Sequence, residues 1–235
     1  MRVTMVGHDT VLIEMGGRRV VADPFFSVAG NPAYKRVEPP ARTRDELLDV
    51  DAVLVSHTHF DHVDRPFLRA LPEGTPVLLP RRAAWQRALI GARRIVPMQP
   101  WQEWALGELQ VTAVPARHVA PTVGYVLEGE GLRVYFAGDT YYGAFLREVG
   151  ERFALDAALI PVTTYRIAMT MGENEAVHAV RDLAPRVVIP IHLGLQPRLP
   201  LMRTRQSPDG FERKLRAAGL EAIVVSLRPG EAWTG

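Results

Sequence analysis

The chain has 235 residues, 47% of them hydrophobic, with a formal net charge of +2. That length suits one hydrophobic core, and the ordinary charged content excludes a disordered chain. There is no cysteine, which removes disulfides, thiolate nucleophiles and cysteine metal ligands. Of the 28 basic residues only Lys35 and Lys214 are lysines; the rest are arginines. Their scatter reads as the codon usage of a GC-rich genome rather than a phosphate-gripping surface, and the small net charge argues against a nucleic-acid binder. No apolar run approaches the roughly 20 residues of a membrane span. The start, MRVTMVGHDT, lacks a signal-peptide core. One domain over residues 1–235, in the cytoplasm, is the expectation.

In chain order, RVTMVG and TVLIEM read as strands, Gly16-Gly17 as a hairpin turn, and RRVVAD as a third strand. Residues 24–50 are Pro-rich and irregular, with a short helix expected at Thr43–Leu48. DAVLVS (51–56) is a continuous apolar strand of the kind buried on both faces. RPFLRAL is a short helix, TPVLLP a strand, and RRAAWQRALIGA (81–92) a helix closing on Gly91. Segments at 93–96, 103–106, 108–114, 122–128 and 132–137 read as a strand-rich meander. Helices follow at about 143–152, 173–184 and 209–218, separated by the strands DAALIP and RVVIPI and followed by a last strand, EAIVVSL. Sheets covered by helices on their outer faces fit this order.

The chemistry concentrates in LVSHTHFDHVD (54–64). The chain has seven histidines, yet His57, His59 and His62 fall within six positions with Asp61 among them. They begin where a buried strand ends, the crevice in which α/β sheets bind ligands. On an extended backbone His57 and His59 leave the same face and reach one cation. Asp61 and His62, past Phe60, can point at a second. Imidazole and carboxylate suit zinc, iron and manganese. The pattern of an apolar strand followed by a ligand recurs in LQVTAVPARHV (His118), LRVYFAGDTYY (Asp139) and VVIPIHLG (His192). Taken alone, each is an ordinary loop residue or a helix cap; together they repeat one arrangement four times.

These motifs, with GHDTVLIE, ADPFF, PARH, AGDT, TMGENEA and PIH, resemble the metallo-β-lactamase superfamily over nearly the whole chain. The branch they resemble contains ascorbate-6-phosphate lactonases and N-acyl-phosphatidylethanolamine phospholipase D-like proteins. The resemblance implies an α/β (α+β) fold, a four-layer αββα sandwich. It implies a first metal on His57, His59 and His118, a second on Asp61, His62 and His192, and Asp139 bridging them. The expected cofactors are two divalent ions, zinc foremost, with manganese or iron as alternatives.

The implied activity is hydrolysis of a phosphoester or a lactone or ester by a metal-bridging hydroxide, with Asp61 also handling the water's proton as a catalytic residue. Asp23 is cast as hydrogen-bonding a ligand imidazole. His8, Tyr165 and Arg166 are candidates for the pocket. His59 stands where oxygen-reducing di-iron relatives carry Glu, which favours a hydrolase. Thr170 stands where some relatives carry a histidine. The space between Asp139 and His192 is too short for the cap domain of nuclease relatives, and β-lactam hydrolysis is a poor fit. His178 reads as solvated surface, and Arg198, Arg203 and Arg205 as a surface loop. The expected partner is a small anionic molecule, with no nucleic acid and no membrane span, and a homo-oligomer is left open. The competing reading is a non-catalytic metal-binding member acting as a binding or assembly module.

Overall fold

The computed structural model describes residues 1–86 and 90–235. Along the chain run β1 (Arg2–Gly7), β2 (Thr10–Met15), β3 (Arg18–Ala22), β4 (Tyr34–Arg36), β5 (Ala52–Leu54), α1 (Arg65–Ala70), β6 (Pro76–Pro80), β7 (Arg94–Met98) and β8 (Glu103–Leu106). Next come β9 (Leu109–Pro115), β10 (Val123–Gly129), β11 (Leu132–Phe136), α2 (Phe145–Arg152), β12 (Ala157–Pro161), α3 (Glu173–Leu183) and β13 (Val187–Ile191). The chain closes with β14 (Leu195–Pro197), α4 (Pro208–Ala217), β15 (Ile223–Val224) and β16 (Ala232–Thr234).

One seven-stranded sheet has the order β16-β1-β2-β3-β5-β6-β7, the other β15-β13-β12-β11-β10-β9-β8. The two-residue period of a strand divides the core. Val11, Ile13, Ala52 and Leu54 of the first sheet meet Tyr125, Phe136, Leu159 and Ile189 of the second in one buried layer. The intervening Leu12, Val53 and Val55 point the other way, onto Phe67 and Leu68 of α1 and onto Leu47. Val126, Tyr135, Ala158 and Val188 point outward onto α2, α3 and α4 through Leu146, Val149, Ala176, Val180, Phe211 and Leu215. The result is the four-layer αββα sandwich. Complete burial of one such Phe or Leu contributes about 1.5–3 kcal/mol.

The register levels the strand ends. Phe136 pairs with Leu159, and Leu159 with Ile189, in parallel. Asp139 and His192 therefore each lie three residues past aligned positions. On the other sheet Ala22 pairs with Leu54, so Asp23 arrives beside Ser56, just ahead of the histidines. A two-stranded ribbon, β4 with β14, stands apart from both sheets.

Several elements differ from the sequence expectation. The 43–48 helix is a 3-10 turn over Asp45–Leu47. The 81–92 helix starts as a 3-10 helix over Arg81–Gln86 in which only Ala83 is buried, and its residues 87–89 lie outside the described residues. EAIVVSL pairs with β13 only at Ile223 and Val224, because it is an edge strand whose Ile223 is exposed. Neither β16 nor the ribbon was expected; each depends on a partner remote in sequence. Among the described residues no helix is long and apolar enough to cross a membrane.

Candidate metal centre

Loops past the carboxyl ends of β3, β5, β9, β11 and β13, together with the β1–β2 turn, converge on one rim of the sandwich. They bring His8, Asp9, Asp23, His57, His59, Asp61, His62, His118, Asp139 and His192 together. The backbone bends sharply here: His8, Asp23 and His192 have positive φ values of 62°, 42° and 64°. Such conformations cost about 1–3 kcal/mol each and persist where the surroundings impose them. Gly138 has φ 55°, and a Cβ there would collide with the Ser56 side chain. The Gly-Asp turn therefore requires glycine to bring Asp139 in.

Asp23 organises the histidines. Its Oδ1 accepts from Ser56 N (2.6 Å), and its Oδ2 accepts from Ser56 Oγ and from His62 Nδ1 (2.7 Å). Ser56 Oγ in turn lies 3.0 Å from His57 Nδ1. With its own proton given to Asp23, Ser56 Oγ accepts from His57. Both imidazoles thus carry a proton at Nδ1, and both turn Nε2 into the cluster, where a cation can replace any proton held there. Both Nε2 atoms are buried, and among the described residues neither has a partner.

The free donors form two sets. His57, His59 and His118 make a triangle with ring centroids 4.5, 4.7 and 4.9 Å apart, and His118 Nε2 faces His59 Nδ1 at 3.2 Å. Around His62 Nε2 lie Asp9 Oδ2 (3.5 Å), Asp139 Oδ2 (3.6 Å) and Asp61 Oδ1 (3.9 Å). Asp139 reaches both sets, with Oδ2 3.9 Å from His118 Nε2 and Oδ1 3.4 Å from His192 Nε2. Two tetrahedral ligands, each about 2.1 Å from a shared cation, stand roughly 3.4 Å apart. Imidazole nitrogens facing carboxylate oxygens at this spacing are a fit for cations.

The charges respond to this crowding. Burial pushes His8 and His118 down to about 4, assisted at His8 by His192. Burial alone would lower His62, but Asp139, Asp23 and Asp61 hold it well above the usual range. Burial would raise Asp139 and Asp61, yet His192 and His62 hold the first, and His62 and His8 the second, well below the carboxylate range. Asp9 goes the other way: burial pushes it up to about 7.

His8 lies within reach of Asp61, His62 and His192, but its hydrogen bonds give it another task. Its Nδ1 accepts from Gly194 N (3.2 Å), which leaves Nε2–H directed at Asp61 Oδ2 (3.4 Å). Tyr165 stands beside His192, ring centroids 5.9 Å apart, with a buried, unpartnered hydroxyl. Its ring continues through Tyr34 to Phe60 and Phe25. On the His118 side a cavity of about 590 Å³ is walled by Arg81, Arg82 and Arg117.

Arg166 is not brought in; its side chain is exposed, and its backbone bonds Met202. Arg198 and Arg203 spend their guanidinium groups on the carbonyls of Ala29, Asn31, Pro197 and Arg198. Thr170 Oγ1 bonds the backbone of Thr140 and braces the Asp139 loop. His178 is exposed on α3. Sequence reasoning passed over Asp9, although RVTMVG followed by His8 and Asp9 repeats the same pattern of a strand followed by a ligand. Arg81 and Arg82, hidden in an expected helix, were also passed over.

A two-sheet sandwich with a histidine–aspartate cluster at its rim defines the metallo-β-lactamase fold. Residues 18–193 match the beta-lactamase superfamily domain. The chain is 33% identical over 245 residues to a UPF0173 metal-dependent hydrolase of Methanopyrus kandleri, covering 99% of each protein. Igni18, a metallo hydrolase of Ignicoccus hospitalis, superposes with a TM-score of 0.78 at 25% identity, covering 99% of this chain and 97% of that one. The metallo-beta-lactamase fold protein YhfI of Bacillus subtilis shares the fold, with a TM-score of 0.73 at 16% identity, covering 100% and 98%. The chain belongs to the beta-lactamase superfamily, among its metal-dependent hydrolases.

Proposed function

We propose that the chain is a dinuclear hydrolase of a small anionic phosphoester or lactone. One observation carries the reading. Two sets of clustered ligand atoms, His57/His59/His118 and His62/His192 with their carboxylates, share the bridging candidate Asp139. His57, His59 and His118 would hold one divalent ion, and Asp61, His62 and His192 the other. When bound, such a pair supplies a Lewis acid and lowers the pKa of water towards neutrality.

The residues around the pair have separate tasks. Asp23 fixes the tautomers of His57 and His62, so that both present Nε2. Asp61, held ionised, can accept a proton from an attacking water through the oxygen not used as a ligand. His8 steadies that carboxylate from Nε2–H. Burial, then the nearby Asp61 charge, keeps the Tyr165 phenol protonated, so it donates to a substrate oxygen. The Tyr34–Phe60–Tyr165 surface packs against an apolar portion of the substrate and sheds water. Arg81, Arg82 and Arg117 offer positive charge to an anionic group.

Turnover of an activated phosphodiester and of a simple lactone tests the reading, each with and without chelator, after loading with zinc, manganese, iron or cobalt. Chelator-sensitive turnover of either substrate supports it. No turnover with any metal removes it.

A further inference from the structure

We propose that Asp9 is itself a metal ligand, a further carboxylate at the second position, and that it makes this the harder of the two cation sites. The inference rests on the dinuclear reading above and goes beyond its ligand set. Asp9 also precedes the stretch matched by the superfamily domain.

Two aspartates flank His62, both fully buried. Asp23 sits on the Nδ1 side with both oxygens satisfied by donors. Asp9 sits on the Nε2 side, and among the described residues neither of its oxygens has a partner. A buried carboxylate without a donor is among the least favourable groups a folded chain can keep ionised; a proton or a cation must neutralise it, and the ligand atoms gathered around Asp9 suit a cation. Neither neighbouring histidine supplies the donor. His62 donates its Nδ1–H to Asp23, and its Nε2, 3.5 Å from Asp9 Oδ2, makes no hydrogen bond to it. His8 Nε2 stands 3.9 Å from Asp9 and is directed at the nearer Asp61 oxygen, at 3.4 Å.

Asp9, His62, Asp139 and His192 each offer one atom within 4.8 Å of all the others, whereas the His57/His59/His118 group does not include Asp9. The β1–β2 turn is built for this placement. His8 adopts a left-handed backbone directly before Asp9, and Thr10 Oγ1 ties the turn to the Asp23 loop.

The two positions therefore differ in chemistry. The first has three imidazoles and a share of Asp139. The second has two imidazoles and three carboxylates, from Asp9, Asp61 and Asp139. Carboxylate oxygen suits manganese-class cations, and imidazole-rich sets suit zinc. Zinc's advantage over manganese is thus smaller at the second position than at the first.

The test compares wild type, D9N and H57A, each loaded with manganese or zinc. The readouts are ions per chain, affinity by chelator competition, and the electron paramagnetic resonance spectrum of bound manganese, with circular dichroism to confirm folding. D9N is expected to keep the first ion at wild-type affinity. Its second ion should weaken about 100-fold, at least the loss seen when a supporting partner is removed, and manganese should suffer more than zinc. H57A should show the reverse, losing the first ion.

Two ions held by D9N as tightly as by wild type, with an unchanged manganese spectrum, would overturn the Asp9 assignment alone. A wild type that binds no ion would overturn the dinuclear reading with it. Anomalous diffraction from wild-type crystals grown with manganese tests the contact without any variant. An ion bonded to an Asp9 oxygen is expected; a second-position ion out of bonding reach of Asp9 overturns the assignment.

Discussion

Asp23 Oδ2 lies 2.7 Å from His62 Nδ1, and through Ser56 the same carboxylate reaches His57. One buried aspartate thus sets the tautomer of an imidazole in each candidate metal set. D23N keeps the shape but cannot accept both protons. Both metal affinities should fall about 10- to 100-fold, measured by chelator competition on folded protein. Loss confined to one ion would show that the Ser56 relay does not transmit the effect.

Removal of the ions should destabilise the fold. A ligand present at 100 times its Kd adds about 2.7 kcal/mol, which in a domain of this size corresponds to roughly 5–10 °C in Tm. Chelator should lower the melting temperature by that order, and manganese or zinc should restore it.

Gly138 leaves no room for a side chain. G138A combines a left-handed backbone with a collision against Ser56, at a cost of about 2–4 kcal/mol. Urea unfolding should show the loss, and metal content should fall with it as Asp139 is displaced.

Among the described residues the Tyr165 hydroxyl has no partner. Y165F should leave metal content and stability nearly unchanged while lowering kcat/KM about 10-fold or more, the weight of a hydrogen bond to a charged oxygen. A variant with full activity would remove Tyr165 from substrate contact.

Arg81 and Arg82 line the cavity beside His118. The double alanine variant should raise KM for anionic substrates and leave kcat nearly unchanged. The wild-type KM should rise with salt, because exposed charges are screened over about 8–10 Å. A KM insensitive to both changes would place the anion elsewhere.

The ends of the buried strands and the residues that follow them are legible in the chain order alone. An apolar run such as DAVLVS and its neighbouring HTHFDH are local facts, legible because burial on both faces leaves a continuous apolar signature. The αββα layering followed from resemblance, and the period-two division of Val53 from Leu54 explains it. That Asp9 enters the cluster beside His62 while Arg166 stays at the surface emerges from the folded arrangement, since nothing local records which way a loop side chain turns. The same holds for β16, the β4–β14 ribbon and the shortened EAIVVSL strand. Their extent is set by how much neighbouring backbone is available to pair with, and that backbone comes from distant parts of the chain.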